Sequence, residues 1–172
     1  MVTYHEHIIK RAKTGKDFAI SMISPFVFAF CAYILSGLFA TVLQFFSFLI
    51  PAVWVGAIYA SYKTVSSRNV EFEYLLVDSD LDIDRITNKT KRKRVVSVYR
   101  KEIIAMAPVG SKNLPEDWKS LDVINAASHI DAEDAYVLIA QQDGIKKAIV
   151  FCPTEKMIET ISLRNPRKVF ND

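Results

Sequence analysis

The sequence predicts an α+β protein: an N-terminal transmembrane helical hairpin, then a small antiparallel β domain of six or seven strands capped by a C-terminal helix. Three observations carry that reading. Phe18 to Tyr62 runs 45 residues without an Asp, Glu, Lys, Arg or His. From Val70 to Asp84 apolar residues alternate with acidic ones, the period of a half-buried strand. Near the C-terminus, Met157, Ile158 and Ile161 recur at helical spacing behind Thr154, a favourable N-cap.

Residues 1–17 read as a cytosolic basic segment, with Lys10, Arg11, Lys13 and Lys16 ahead of the first span. His5 and His7 fall within it, at the membrane surface, and two histidines without a nearby Cys or Asp make no metal site. A helix needs ~20 apolar residues to cross a bilayer, so the uncharged run at 18–62 is long enough to cross twice. Ser36 and Gly37, followed by Thr41, Gln44 and Ser47, place the turn within Gly37–Gln44. The spans are then Phe18–Ser36 and Phe45–Tyr62, with Pro25 inside the first and Pro51 inside the second. Tyr59 and Tyr62 suit an interfacial anchor. A cleaved signal peptide would also show a basic start and an apolar segment. This run is far longer than such a segment and lacks a clear cleavage site.

Lys63 and Arg68 follow the second span, and the connection between the spans is uncharged. By the positive-inside rule both flanks are cytoplasmic, which makes the chain a multi-pass protein of the plasma membrane. No ionisable residue lies within the spans, so nothing marks an ion or proton path, and anchoring is the expected role. Small residues recur four apart in each span: Ala32, Ser36 and Ala40, then Ala52, Gly56 and Ala60. Such spacing lets helices approach closely. The two series sit at different depths, which leaves one for a second copy or another membrane protein.

Residues 63–69 form a linker, and 70–172 the cytosolic β domain. Val70, Phe72, Tyr74 and Leu76 face one way, with Glu71 and Glu73 opposite. Asp78, Ser79 and Asp80 turn the chain, and Leu81 and Ile83 resume the alternation. Val95–Tyr99 and Ile103–Ala107 are further strands, the second stopped by Pro108 and Gly110. Ser111–Glu133 is irregular, with a short element at Leu121–Ile124. Two apolar runs then flank Asp143-Gly144, a hairpin signal, and the closing helix follows. Cys31 and Cys152 fall in different parts of the chain and read as the free thiols of a reducing compartment.

Charge comes in blocks. Glu71 to Asp84 holds six acids and no base, and Arg85 to Lys101 holds eight bases and no acid. Lys89, Lys91, Arg92, Lys93 and Arg94 are the candidate lipid-binding residues, since juxtamembrane bases gain ~1 kcal/mol each at an anionic surface. The same bases could instead pair with the acidic strands beside them. Asp78, Asp80, Asp82 and Asp84 resemble the start of a calcium loop, but Ile83 stands at its glycine position and Lys89 at its glutamate position. His129 and Ser128 have no partner at triad spacing. No catalytic residue, metal site or cofactor motif emerges, and the near-neutral domain argues against nucleic acid.

The order of elements, antiparallel strands closed by one C-terminal helix, resembles the pleckstrin-homology-like fold over Val70 to Leu163. The whole chain resembles a group of uncharacterised small bacterial two-span membrane proteins. The shared features are the start Ile9-Lys10-Arg11 to Asp17, the hairpin, Glu73-Tyr74 and Leu81 to Asp84, the basic run, and the ending Asn165 to Phe170. That resemblance implies architecture and membrane location, not an activity. Two functions fit: a non-catalytic membrane-anchored module that binds anionic lipid headgroups or a protein partner, or an accessory subunit that associates through its hairpin.

Overall fold

The structure, a computed structural model, describes residues 4–115 and 117–170. It divides into two compact units, residues 13–69 and residues 1–12 with 70–172.

The first unit is the hairpin. Helix α1 (Gly15–Thr41) opens on a capping box, in which the Thr14 hydroxyl accepts from the Asp17 N–H and the Asp17 carboxylate from the Thr14 N–H. The carboxylate of Asp17 also lies 3.8 Å from the Arg68 guanidinium, which ties the start of α1 to the chain just beyond α2. A 3-10 turn (Gln44–Leu49) leads into α2 (Ile50–Ser66). The chain breaks at 42–43 between the two spans, within the expected Gly37–Gln44, although α1 runs five residues past the expected end at Ser36. Ser36 does not break α1, because its hydroxyl donates to Ala32 O at 2.7 Å, and Thr41 donates likewise to Gly37 O. Pro51 sits in the first turn of α2 rather than in its interior, where the absent N–H costs nothing. The segments Gly15–Thr41 and Gln44–Ser66 are each long and apolar enough to cross a membrane.

The second unit holds eight strands, one or two more than the sequence suggested. The addition is β1 (Tyr4–Lys10), built from the segment expected to be a separate basic stretch. Its Tyr4, Glu6, Ile8 and Lys10 are exposed and alternate with half-buried His5, His7 and Ile9. β1 pairs antiparallel with β2 (Val70–Val77), Lys10 opposite Glu71 and Tyr4 opposite Val77. β3 (Asp80–Thr87) and β4 (Lys91–Val98) complete sheet A in the order β1-β2-β3-β4. Sheet B combines β5 (Ile103–Pro108), β6 (Asp122–Asn125), β7 (Tyr136–Gln142) and β8 (Ile145–Phe151) in the order β5-β7-β8-β6, with β6 parallel to β8.

The main core joins the two sheets and α3 (Glu155–Arg164). Tyr74, Leu76 and Ile83 meet Leu138, Ile149 and Phe151, with Met157 and Ile161 added from α3. Tyr74 and Phe151 contact edge to face, ring centres 5.6 Å apart. The Tyr74 hydroxyl donates to Ala126 O at 2.7 Å and accepts from the Cys152 N–H at 3.2 Å, so burying it leaves no orphaned polar group. Burial pushes this phenol far above its ordinary range, and it stays neutral. A second core explains the irregular stretch after β5. Leu114, Trp118 and Ala127 pack with Val137, Ile139 and Val150, so sheet B is buried on both faces. The edge of β5 is closed by the C-terminal segment, through Met106 N–H to Lys168 O (2.7 Å) and Phe170 N–H to Met106 O (2.9 Å).

Candidate functional site

β1 and β2 flank the hairpin in sequence and are hydrogen-bonded neighbours in sheet A. The pairing continues past β1, where the Arg11 N–H donates to Val70 O at 3.0 Å. Residues 13–69 are thus a connection between two paired strands, leaving and rejoining one end of one sheet. The β3–β4 turn lies at that same end, since Val70 pairs with Thr87 and Thr87 with Lys91. Asn88 and Lys89 adopt φ of 52° and 56°, left-handed positions within the three-residue turn 88–90, where the Thr90 N–H donates to Thr87 O at 3.3 Å.

The strand pairing divides the candidate basic run. The Arg92 guanidinium donates to the Glu73 carboxylate at 2.9 Å. Arg94 reaches Asp82 at 2.7 Å and, more closely still, Asp84. Glu73 is only 6% exposed, and burial raises its pKa while Arg92 pulls it back down. The hydrogen bond to Asp84 holds Arg94 firmly charged. Lys89, Lys91 and Lys93 are exposed, and none has an acidic partner among the described residues. Two of the five candidates therefore close the acidic face of sheet A, and three remain for anything outside it.

A second basic feature was not singled out from sequence. At the other end of sheet A, a groove of about 700 Å³ is lined by Asp80 of β3, Tyr99 to Lys101, Arg164 at the end of α3, and Asn165 to Lys168 after it. Arg100 donates through Nη2 to Arg164 O at 2.9 Å, and its backbone N–H donates to Asp80 Oδ1 at 2.8 Å. Lys168 Nζ donates to Ile103 O at 2.5 Å. Asp78 lies 3.9 Å from Arg164. Asn165, at the end of α3, is buried and donates to Ile161 O, which sets the course of the Pro166-Arg167-Lys168 segment. The signal in sequence was two short basic stretches, Arg100-Lys101 and Arg167-Lys168, too far apart to be joined without the fold.

The family described as a bacterial PH-like domain (DUF6106) matches residues 1–171, hairpin and β1 included. The chain belongs to this family. No curated protein and no solved structure matches it. The eight strands and α3 are accordingly a PH-like domain, with the hairpin spliced between its first two strands.

The remaining candidates find structural places. His5 and His7 belong to the PH-like domain, where both lie on the inward side of β1. His5 Nε2 is 3.2 Å from the Thr160 hydroxyl of α3, and the His7 ring lies 6.0 Å from that of Tyr74. The Thr160 hydroxyl also lies 2.8 Å from Lys156 O, one turn earlier in α3. His129 Nδ1 accepts from the Asp131 N–H within a loop. Among the described residues, no three or more His, Cys, Asp or Glu are grouped to hold a metal. In the hairpin, Ala32 is buried, whereas Ala52 and Gly56 are exposed and Ala60 is half-buried. A Cβ at Gly56 would meet nothing within 4 Å.

Proposed function

We propose that the protein is an integral membrane protein of the cell membrane that tethers a non-catalytic PH-like domain to the cytosolic face, with both termini cytoplasmic. Lys89, Lys91 and Lys93 then meet anionic lipid headgroups. The observation that carries this reading is the pairing of β1 with β2 around the hairpin. Both junctions with the hairpin fall at one end of sheet A, the end that also carries the β3–β4 turn. Two neighbouring strands, rather than one flexible linker, hold the domain.

The test uses the full chain in nanodiscs of zwitterionic lipid, with and without phosphatidylglycerol. Lysine acetylation, read by mass spectrometry, should show Lys89, Lys91 and Lys93 protected only in the anionic discs. Protection should fade with added salt, because screening shortens the reach of surface charge to ~8 Å near 0.15 M. Equal labelling in both discs at low salt would rule out lipid contact by this turn.

One observation favours a second reading, association through the hairpin with a second copy or another subunit. A Cβ at Gly56 of α2 would meet open space, and Ala52, one turn earlier, is exposed. Gly56→Leu would then change the oligomeric state in detergent, and an unchanged state would exclude contact at that position.

A further inference from the structure

We infer that the groove at the far end of sheet A is a binding site for a small soluble phosphorylated molecule. The inference does not depend on lipid contact by the β3–β4 turn, because the two features share no residue.

The cations of the groove are held differently from those on the outer face of sheet A. On the outer face of sheet A, Arg92 and Arg94 end on carboxylates. In the groove, Arg100 and Lys168 end on the backbone carbonyls of Arg164 and Ile103, which fix the side chains without cancelling their charge. Lys101 and Arg167 are exposed and have no carboxylate within ion-pair distance among the described residues. Among the described residues, the carboxylate nearest Arg164 is that of Asp78 at 3.9 Å. Against these five bases the described lining of the groove sets one carboxylate, Asp80, which already accepts from the Arg100 backbone.

The C-terminus of α3 accounts for part of this charge. A helix C-terminus attracts a cation, and Arg100 donates to Arg164 O there. One guanidinium serves that purpose, and it leaves Lys101, Arg167 and Lys168 unexplained. Their convergence suits a group with two or more negative charges and several acceptor oxygens. A phosphate ester meets both requirements, and arginine forks match its geometry.

Size and lining narrow the class further. A groove of about 700 Å³ falls within the usual range of small-molecule sites, roughly 300–1,000 Å³. Tyr99, 52% exposed, and Pro166 add apolar surface for the body of an organic ligand. Location argues for a soluble source. Along β3 the groove's Asp80 lies seven residues from Thr87 at the junction end, about 20 Å at strand spacing. A lipid headgroup is the competing source of such a phosphate, and the test separates the two.

Inorganic pyrophosphate is the probe, titrated calorimetrically into the full chain in zwitterionic nanodiscs. Saturable binding is expected, and Lys101→Ala with Arg167→Ala should weaken it at least about tenfold. Both side chains are exposed, so the thermal midpoint of this variant should match the parent. Lys91→Ala with Lys93→Ala, equal in charge lost, should leave the affinity within about twofold. No saturable binding, or equal weakening by the two pairs, would overturn the site in favour of diffuse charge attraction. Loss of pyrophosphate binding when the discs contain phosphatidylglycerol would overturn the soluble source and assign the groove to lipid headgroups.

Discussion

On the outer face of sheet A the arginines of β4 are neutralised by Glu73, Asp82 and Asp84, whereas around the groove the bases are held by carbonyl oxygens. Both sets contain residues of one uninterrupted basic block, Arg85 to Lys101. The difference arises from topology. β4 lies beside β3, so its outward arginines meet the acidic residues of β2 and β3. Arg100 and Lys101 fall after β4 ends, next to the C-terminus of α3, where carbonyls are the nearest acceptors. Equal charge in sequence thus becomes structural cement in one place and unspent potential in another.

The largest effect that separates the two comes from α3. Ile161 is fully buried against the sheets, and Ile161→Ala should cost about 2–5 kcal/mol, read as a lower denaturant midpoint. Because Arg164 ends α3 and Asn165 to Lys168 follow it, pyrophosphate binding should suffer as the helix loosens. The β3–β4 turn is built from sheet A alone, so its lysine labelling should persist. Parallel loss of both would contradict their independence.

A smaller effect distinguishes cement from free charge within β4. Arg92→Ala or Arg94→Ala should destabilise the domain by no more than about 1 kcal/mol, since both arginines are partly exposed. Lys91→Ala or Lys93→Ala should leave the midpoint unchanged. A lysine variant as destabilised as the arginine variants would erase the distinction.

The smallest effect is one of pH. Burial raises the pKa of Glu73, so the folded state binds its proton more readily than the unfolded chain does. Stability contributed by this group is present at low pH and falls as pH rises through the raised pKa. Relative to Glu73→Gln, which has no such titration, the parent should therefore gain stability as the solution is acidified from neutrality. A difference between the two that is flat with pH would mean that Arg92 fully offsets the burial.

Sequence revealed what local periodicity encodes. The apolar run, the alternation in β2 and β3, the Asp143-Gly144 hairpin and the stripe of α3 each announce themselves within a dozen residues. β1 did not, because its partner begins only at Val70 and its inward face is two histidines and one isoleucine. The first span was ended early because Ser36 looks like a breaker, yet inside α1 its hydroxyl, like that of Thr41, bonds back to a carbonyl four residues earlier. The candidate basic run was visible as charge, but only the register of β4 against β3 and β2 shows which members are spoken for. The groove was hidden for the same reason as β1, since Tyr99 to Lys101 and Arg164 to Lys168 meet only through the fold.

The central claim is that residues 13–69 enter the membrane from the cytosol and return to the same side, where two paired strands hold the PH-like domain. Single cysteines in a Cys31→Ser background test it directly with a membrane-impermeant maleimide. Ser47, exposed in the 3-10 turn between the helices, and Lys91, exposed in β4, are the reporting positions. The Ser47→Cys variant should be labelled in intact cells, and the Lys91→Cys variant only after permeabilisation. Labelling at Lys91→Cys in intact cells, or at Ser47→Cys only after permeabilisation, would contradict the account.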